Sequence, residues 1–377
     1  MATKGDQREQ EGKRGQDILS KTIDKPSDHQ VVDNDDLRKN CLDSIKQAIL
    51  REPILALDCK GEDLSRKGEL QLVSIATQEK VYILDILKLK TSPFERGLRD
   101  ILEDKHILKL MFDCREDSDV LFHQFHVKLD GVIDIQLLEV IKRPGDIEDT
   151  SSRRCERHDE VVPLQSLYDC LVTYSISKVM VKKKKNFMQN HILGDRPLAE
   201  EHKENANRDV ALLFHLFEKL KPDNEEMERL KIASNVFVDL KRSIALRDFS
   251  KFENNSYLPI DVIPKKGSKG FEPGYTQCQK CRRPFPVSEF SKTQLRACTQ
   301  MCRTCKKVKL DNDVLENQQA NLSRTEDRRA RNAFYSRINR LGNSPSHMIY
   351  NDIILDPYVD WHVIIDEDGE ETLTFFT

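Results

Sequence analysis

Apolar residues alternate between helical and strand periods along the first two thirds of this chain, and their order predicts an α/β fold. Residues 36–51 place Leu37, Cys41, Ile45 and Ile49 at helical spacing. Three strand-like runs follow at 54–59, 70–76 and 81–84, the last two joined by the polar turn Thr77-Gln-Glu-Lys80. A helix over 94–103, an apolar segment at 107–112 and a helix over 116–125 come next. A short strand at 131–134 and a helix over 135–141 follow, with later helices near 164–171 and 202–220. Three antiparallel strands followed by alternating helices and parallel strands make a mixed sheet with flanking helices.

The remaining third reads differently. Residues 145–160 are polar and read as a loop, 223–252 as largely helical, and 254–274 as a linker rich in turn residues. Ser323-Arg-Thr-Glu326 reads as a capping box opening a helix to Leu341, stopped by Gly342. Its Ala330, Phe334, Ile338 and Leu341 form an apolar stripe suited to docking, with Arg328, Arg329, Arg331, Arg337 and Arg340 as a basic remainder. Apolar runs at 359–365 and 372–376 flank Asp368-Gly369, a strong hairpin signal. The organisation expected is a disordered segment (1–35), a large α/β domain (36–235), a helix and linker (236–274), a small domain with a basic helix (275–342) and an acidic tail with a β-hairpin (343–377).

Charge adds little at the global level. The 61 Lys+Arg residues nearly balance 64 Asp+Glu, leaving a net charge of −3 in 377 residues, so any nucleic-acid-binding surface has to be local. Lys182, Lys183, Lys184 and Lys185 are one such run and a candidate phosphate contact. No apolar stretch approaches membrane-spanning length, and the N-terminus lacks the apolar core of a secretion signal. The ten cysteines are not evenly framed, which points to a reducing compartment, cytoplasmic or nuclear, and to metal thiolates rather than disulfides. Cys278-Gln-Lys-Cys281 and Cys302-Arg-Thr-Cys305 lie twenty residues apart and supply four ligands for tetrahedral Zn²⁺. Cys298 is a fifth candidate that could replace Cys302. Four thiolates leave no open position, so a structural zinc that docks protein partners is the expectation.

Four ordered motifs lie between residues 50 and 225. The first is Asp58-Cys-Lys60 at the end of a strand, trailed by Gly61-Glu62-Asp63-Leu64. The second is Asp113-Cys-Arg-Glu-Asp-Ser-Asp-Val-Leu121, the third Val132-Ile-Asp-Ile-Gln136, and the last Arg196-Pro-Leu198 with Asn205-Ala-Asn-Arg-Asp-Val210. Together they resemble the RNase D-like branch of the DEDD 3′–5′ exonucleases, nearest to exonuclease-domain proteins of animal small-RNA pathways and to Egalitarian. The resemblance implies an RNase H-like sheet and places metal carboxylates at Asp58, Asp117 and Asp209. It also exposes two departures: Lys60 stands where the family has glutamate, and Asn205 where relatives have tyrosine.

Such nucleases hold two divalent cations, Mg²⁺ or Mn²⁺, which activate a water and stabilise the leaving oxygen. An ammonium about 4 Å from a divalent ion repels it by roughly 8 kcal/mol gross at an effective dielectric near 20. Lys60 could instead pair with Asp58, Asp117 or Asp209 and stand in for the metal. A register shift would make Glu62 the ligand. Three readings follow: a degenerate exonuclease domain whose altered, positive floor still binds RNA or single-stranded nucleic acid, an active exonuclease that uses Mg²⁺ or Mn²⁺, and a protein-interaction scaffold without nucleic-acid affinity.

Overall fold

The computed structural model describes residues 28–143, 161–176, 193–244, 248–341, 361–365 and 371–375. The predicted 145–160 loop and Lys182–Lys185 lie outside the described residues. The chain divides into two compact units, residues 1–305 and 306–377, so the four cysteines belong with the α/β unit.

In the first unit, β1 (His29–Val32), α1 (Asp35–Arg51), β2 (Ile54–Glu62), β3 (Glu69–Ala76), β4 (Val81–Asp85) and α2 (Ile86–Leu89) come first. A π-helical turn (Phe94–Leu98) runs into α3 (Arg99–Glu103), then β5 (Leu108–Met111), α4 (Arg115–Phe125), β6 (Val132–Asp134) and α5 (Ile135–Lys142). α6 (Leu167–Thr173), α7 (Glu200–Leu220) and α8 (Asn224–Arg242) complete the domain. The six strands form one mixed sheet in the order β1-β4-β3-β2-β5-β6. β2, β3 and β4 are antiparallel neighbours, whereas β5 and β6 extend the sheet in parallel beside β2. Leu70–Ala76 is buried along its whole length because β3 is central and covered on both faces.

Three expectations are corrected. A strand, β1, lies within the segment expected to be disordered; it pairs in parallel with β4 at the sheet edge. An edge strand needs only one buried face, and fully buried Val32 supplies it before Asn34 caps α1. The helix expected over 223–252 ends at Arg242. Finally, Ser323 opens nothing. α10 runs from Arg303 to Leu341 without a break, since no glycine or proline interrupts those 39 residues.

The cysteine segment carries a short antiparallel pair, β7 (Thr276–Gln277) with β8 (Pro284–Phe285), and the small helix α9 (Lys292–Arg296). In the second unit, β9 (Trp361–Ile365) pairs antiparallel with β10 (Glu371–Phe375), the hairpin that the sequence predicts. No helix among the described residues is long and apolar enough to cross a membrane.

Candidate active site and cysteine cluster

Strand geometry puts Asp58 and Lys60 on one face of β2. A bulge falls immediately after Lys60, and Gly61 is required there: a Cβ would sit 1.9 Å from the Glu69 carbonyl oxygen. Glu62 lies exposed beyond the bulge, in register with Glu69, so it is Lys60 that stands beside Asp58.

The Lys60 ammonium bridges two carboxylates. Its Nζ lies 2.8 Å from Asp58 Oδ2 and 2.6 Å from Asp209 Oδ2, the latter carried on α7. Burial opposes the charge on Lys60, but Asp58 and Asp209 outweigh it and hold the ammonium above the usual lysine range. Asp117, on α4, accepts the Cys59 backbone N–H at 2.8 Å, which fastens that carboxylate to β2. Burial, with the charge of Asp58, pushes Asp117 well above the ordinary carboxylate range. One ammonium is thus matched by two aspartates, with Asp117 next to Asp58. The floor is balanced or acidic, not positive as the sequence led us to expect.

Asn205 lies one turn before Asp209 on α7, and its Oδ1 accepts a hydrogen bond from Arg208. α7 is approached through Arg196, whose guanidinium forks onto Asp85 at 2.5 and 2.8 Å. Asp134 has a role that its motif did not reveal. It caps α5, accepting N–H groups of Gln136 and Leu137, and it also accepts those of Asp113 and Cys114. Asp113 has φ of +56°, so this carboxylate holds the tight turn that launches α4 and aims Asp117.

Burial and the Asp113 charge raise Asp134 to about 6. Between about 4 and 6 the native state keeps a proton that the unfolded chain has released, so this group makes stability fall as pH rises through that window. Carbon-detected NMR should place the Asp134 carboxyl midpoint near 6; an ordinary midpoint near 4 would refute the assignment.

Asp119 and Arg66 were also not legible in the sequence. Fully buried Asp119 is gripped by the Arg66 guanidinium at 2.7 Å, and Arg66 donates further to the Lys241 and Ile244 carbonyls. This buried pair ties the β2–β3 connection to α4 and to the end of α8. Arg66 and Asp119 sit 53 residues apart, and no local pattern pairs them.

The cysteine cluster is more compact than the spacing alone requires. The Sγ atoms of Cys278, Cys281, Cys302 and Cys305 all lie within 4.8 Å of one another, and all four residues are buried. A Zn–S length near 2.3 Å implies sulphur separations of about 3.8 Å in a tetrahedron; Cys281 and Cys302 are 3.9 Å apart. The Cys302 N–H points to Cys278 Sγ at 3.4 Å, and Arg282 takes φ of +60° to turn the chain just after the second cysteine. Thiol protons shared within the cluster hold Cys278 below the usual range and push Cys302 and Cys305 above it. The set fits a tetrahedral metal such as zinc. Cys298 is exposed and outside it.

The model of a family described as 3′–5′ exonuclease matches residues 30–225, just over half of the chain. The chain belongs to the 3′–5′ exonuclease family. It is 31% identical over 179 residues to the piRNA biogenesis protein EXD1 of Bombyx mori, covering 47% of this chain and 52% of that protein. The Mus musculus EXD1 protein is 39% identical over 94 residues, 25% of this chain and 16% of that one. An Egalitarian protein homolog of Caenorhabditis elegans is 29% identical over 90 residues, 23% of this chain and 16% of its own length. The chain therefore spans about half the length of its Bombyx mori relative and less of the other two. Among solved structures, Trypanosoma brucei RNase D in complex with RNA U12 superposes with a TM-score of 0.50 at 19% identity, covering 74% of this chain and 90% of that one. That likeness establishes an RNase D-like fold.

Proposed function

We propose that this chain is an RNA-binding protein built on a 3′–5′ exonuclease domain that does not cleave, serving as an adaptor in RNA metabolism of the small-RNA kind. The observation that carries this reading is the Lys60 ammonium, held 2.8 Å from Asp58 and 2.6 Å from Asp209. In this reading Asp58, Asp117 and Asp209 are the family's metal carboxylates, and the ammonium occupies the place of their cation. Mg²⁺ or Mn²⁺ does not fit this set: it would have to displace a cation that two of its own ligands already hold. Asn205, committed to Arg208, offers no phenol to orient a water. The similarity to proteins named for piRNA biogenesis, and to the fold of a nuclease solved with RNA, supports an RNA ligand. A structural zinc on Cys278, Cys281, Cys302 and Cys305 would leave that module free to dock protein partners.

End-labelled single-stranded RNA and DNA, incubated with the full chain in Mn²⁺, test this reading. Binding of RNA without shortening is expected. Degradation that disappears in Asp209→Ala would establish an active exonuclease instead, and absence of both binding and degradation would leave a protein scaffold. The Lys60→Glu, Asn205→Tyr double variant serves as the control for recoverable activity.

A further inference from the structure

The cleft floor cannot be what neutralises RNA phosphates, because its single ammonium is already matched by Asp58 and Asp209 with Asp117 beside them. The affinity has to come from a different surface, and α10 presents one. Its 39 residues reach about 58 Å at 1.5 Å per residue. From Asp313 to Tyr335 no described residue is buried. Of the apolar stripe expected to dock the helix, Ala330 is exposed and Phe334 partly buried.

Three arginines of this helix share one face. Arg324, Arg328, Arg331 and Tyr335 follow one another at intervals of four, three and four residues, which aligns them along one side. Asn317 and Asn321 continue that side towards the N-terminus; Glu326 lies off it, and Asp327 flanks it within one turn of Arg324 and Arg331. All three arginines are exposed, and none is ion-paired among the described residues. Two lysines near the start of the helix differ: Lys307 pairs with Asp311, and Lys309 with Asp313. Tyr335 ends the stripe half-exposed, with a ring that can accept a base.

We propose that the Arg324–Arg328–Arg331–Tyr335 face of α10 is a binding site for single-stranded RNA. Arginines about 6 and 4.5 Å apart along the axis can each take a backbone phosphate. The stripe is about 16 Å long, the length of roughly five stacked nucleotides at 3.4 Å each. Tyr335 selects single strands, because a base must be unstacked to lie on an aromatic ring. The inference rests on the RNA-binding reading above and moves its main contact from the cleft to this helix.

The test is fluorescence anisotropy of a labelled oligouridine, and of an RNA duplex of the same length, against the zinc-loaded full chain. Changing Arg324, Arg328 and Arg331 together to Gln should weaken single-strand binding at least about tenfold. It should also lower the slope of log affinity against log salt by about 2, three phosphates at 0.7 each. Glutamine is nearly as good a helix former as arginine, and unchanged far-ultraviolet circular dichroism will verify that α10 persists. Tyr335→Ala should weaken the single strand and leave the duplex unaffected. If wild-type chain binds oligouridine but the triple variant matches it in affinity and salt slope, this inference is overturned while RNA binding stands. If the wild type binds neither probe, both readings fall, and an acidic protein partner becomes the ligand to seek on this face.

Discussion

Lys60→Glu is expected to make the stability of the folded chain depend on a divalent cation. In the native protein the ammonium lies within 2.8 Å of both Asp58 and Asp209. Removing it leaves two carboxylates uncompensated next to Asp117, and glutamate adds a fourth. Breaking a buried pair by losing one partner costs about 3–5 kcal/mol. Partial exposure of these side chains, 17–27%, argues for the lower end, about 3 kcal/mol. Mn²⁺ should restore that loss in the variant, since a ligand at a hundred times its dissociation constant stabilises by about 2.7 kcal/mol. Thermal unfolding with and without Mn²⁺ reads this directly. Wild-type melting should not move with Mn²⁺, and the variant should rise. A variant as stable as wild type without metal would mean that the Lys60 contacts contribute nothing.

Zinc removal is expected to have the second large effect. The small core around the cluster consists of Ile260, Phe285, Phe290 and the four cysteines themselves. A core in which the ligands make up most of the buried residues has little else to hold it, and structural zinc typically supplies about 10–16 kcal/mol of binding free energy. A strong chelator, or Cys302→Ser, should unfold residues around 276–305 while leaving the sheet intact. Hydrogen exchange should then show protection lost at Phe285 and Phe290 and kept at Leu72 and Ile75. Metal analysis should find about one zinc per chain. A folded, reduced protein without zinc would refute the site.

Much of the site was legible because it depends on short-range periods. Asp58 and Lys60 fall on one strand face by the two-residue repeat, and Asn205 and Asp209 on one helix face by the four-residue repeat. The strand runs at 54–59, 70–76 and 81–84 each reappear as β2, β3 and β4, because an apolar segment of that length between polar turns has few other ways to be buried. The two Cys-x-x-Cys pairs likewise meet at one point. What escaped is set by distant partners. The pairing of Lys60 with Asp209, 149 residues away, was foreseen from the motifs, but not that the two carboxylates on Lys60 together leave the floor without positive charge. Asp134 looked like a motif residue, yet its geometry makes it a clamp on the turn at Asp113. β1 was passed over because two valines are a weak signal for a strand, although β4 offers them a partner edge. The capping box at Ser323 misled for a local reason: its sequence pattern is satisfied equally well inside a longer helix.

The central claim is that Lys60 occupies the place of the family's metal. Electron paramagnetic resonance of free Mn²⁺, titrated with the zinc-loaded chain, tests it most directly. The wild type should leave the Mn²⁺ signal as Asp209→Ala leaves it, and Lys60→Glu should deplete it. Uptake of Mn²⁺ by the wild type that is lost in Asp209→Ala would contradict the account.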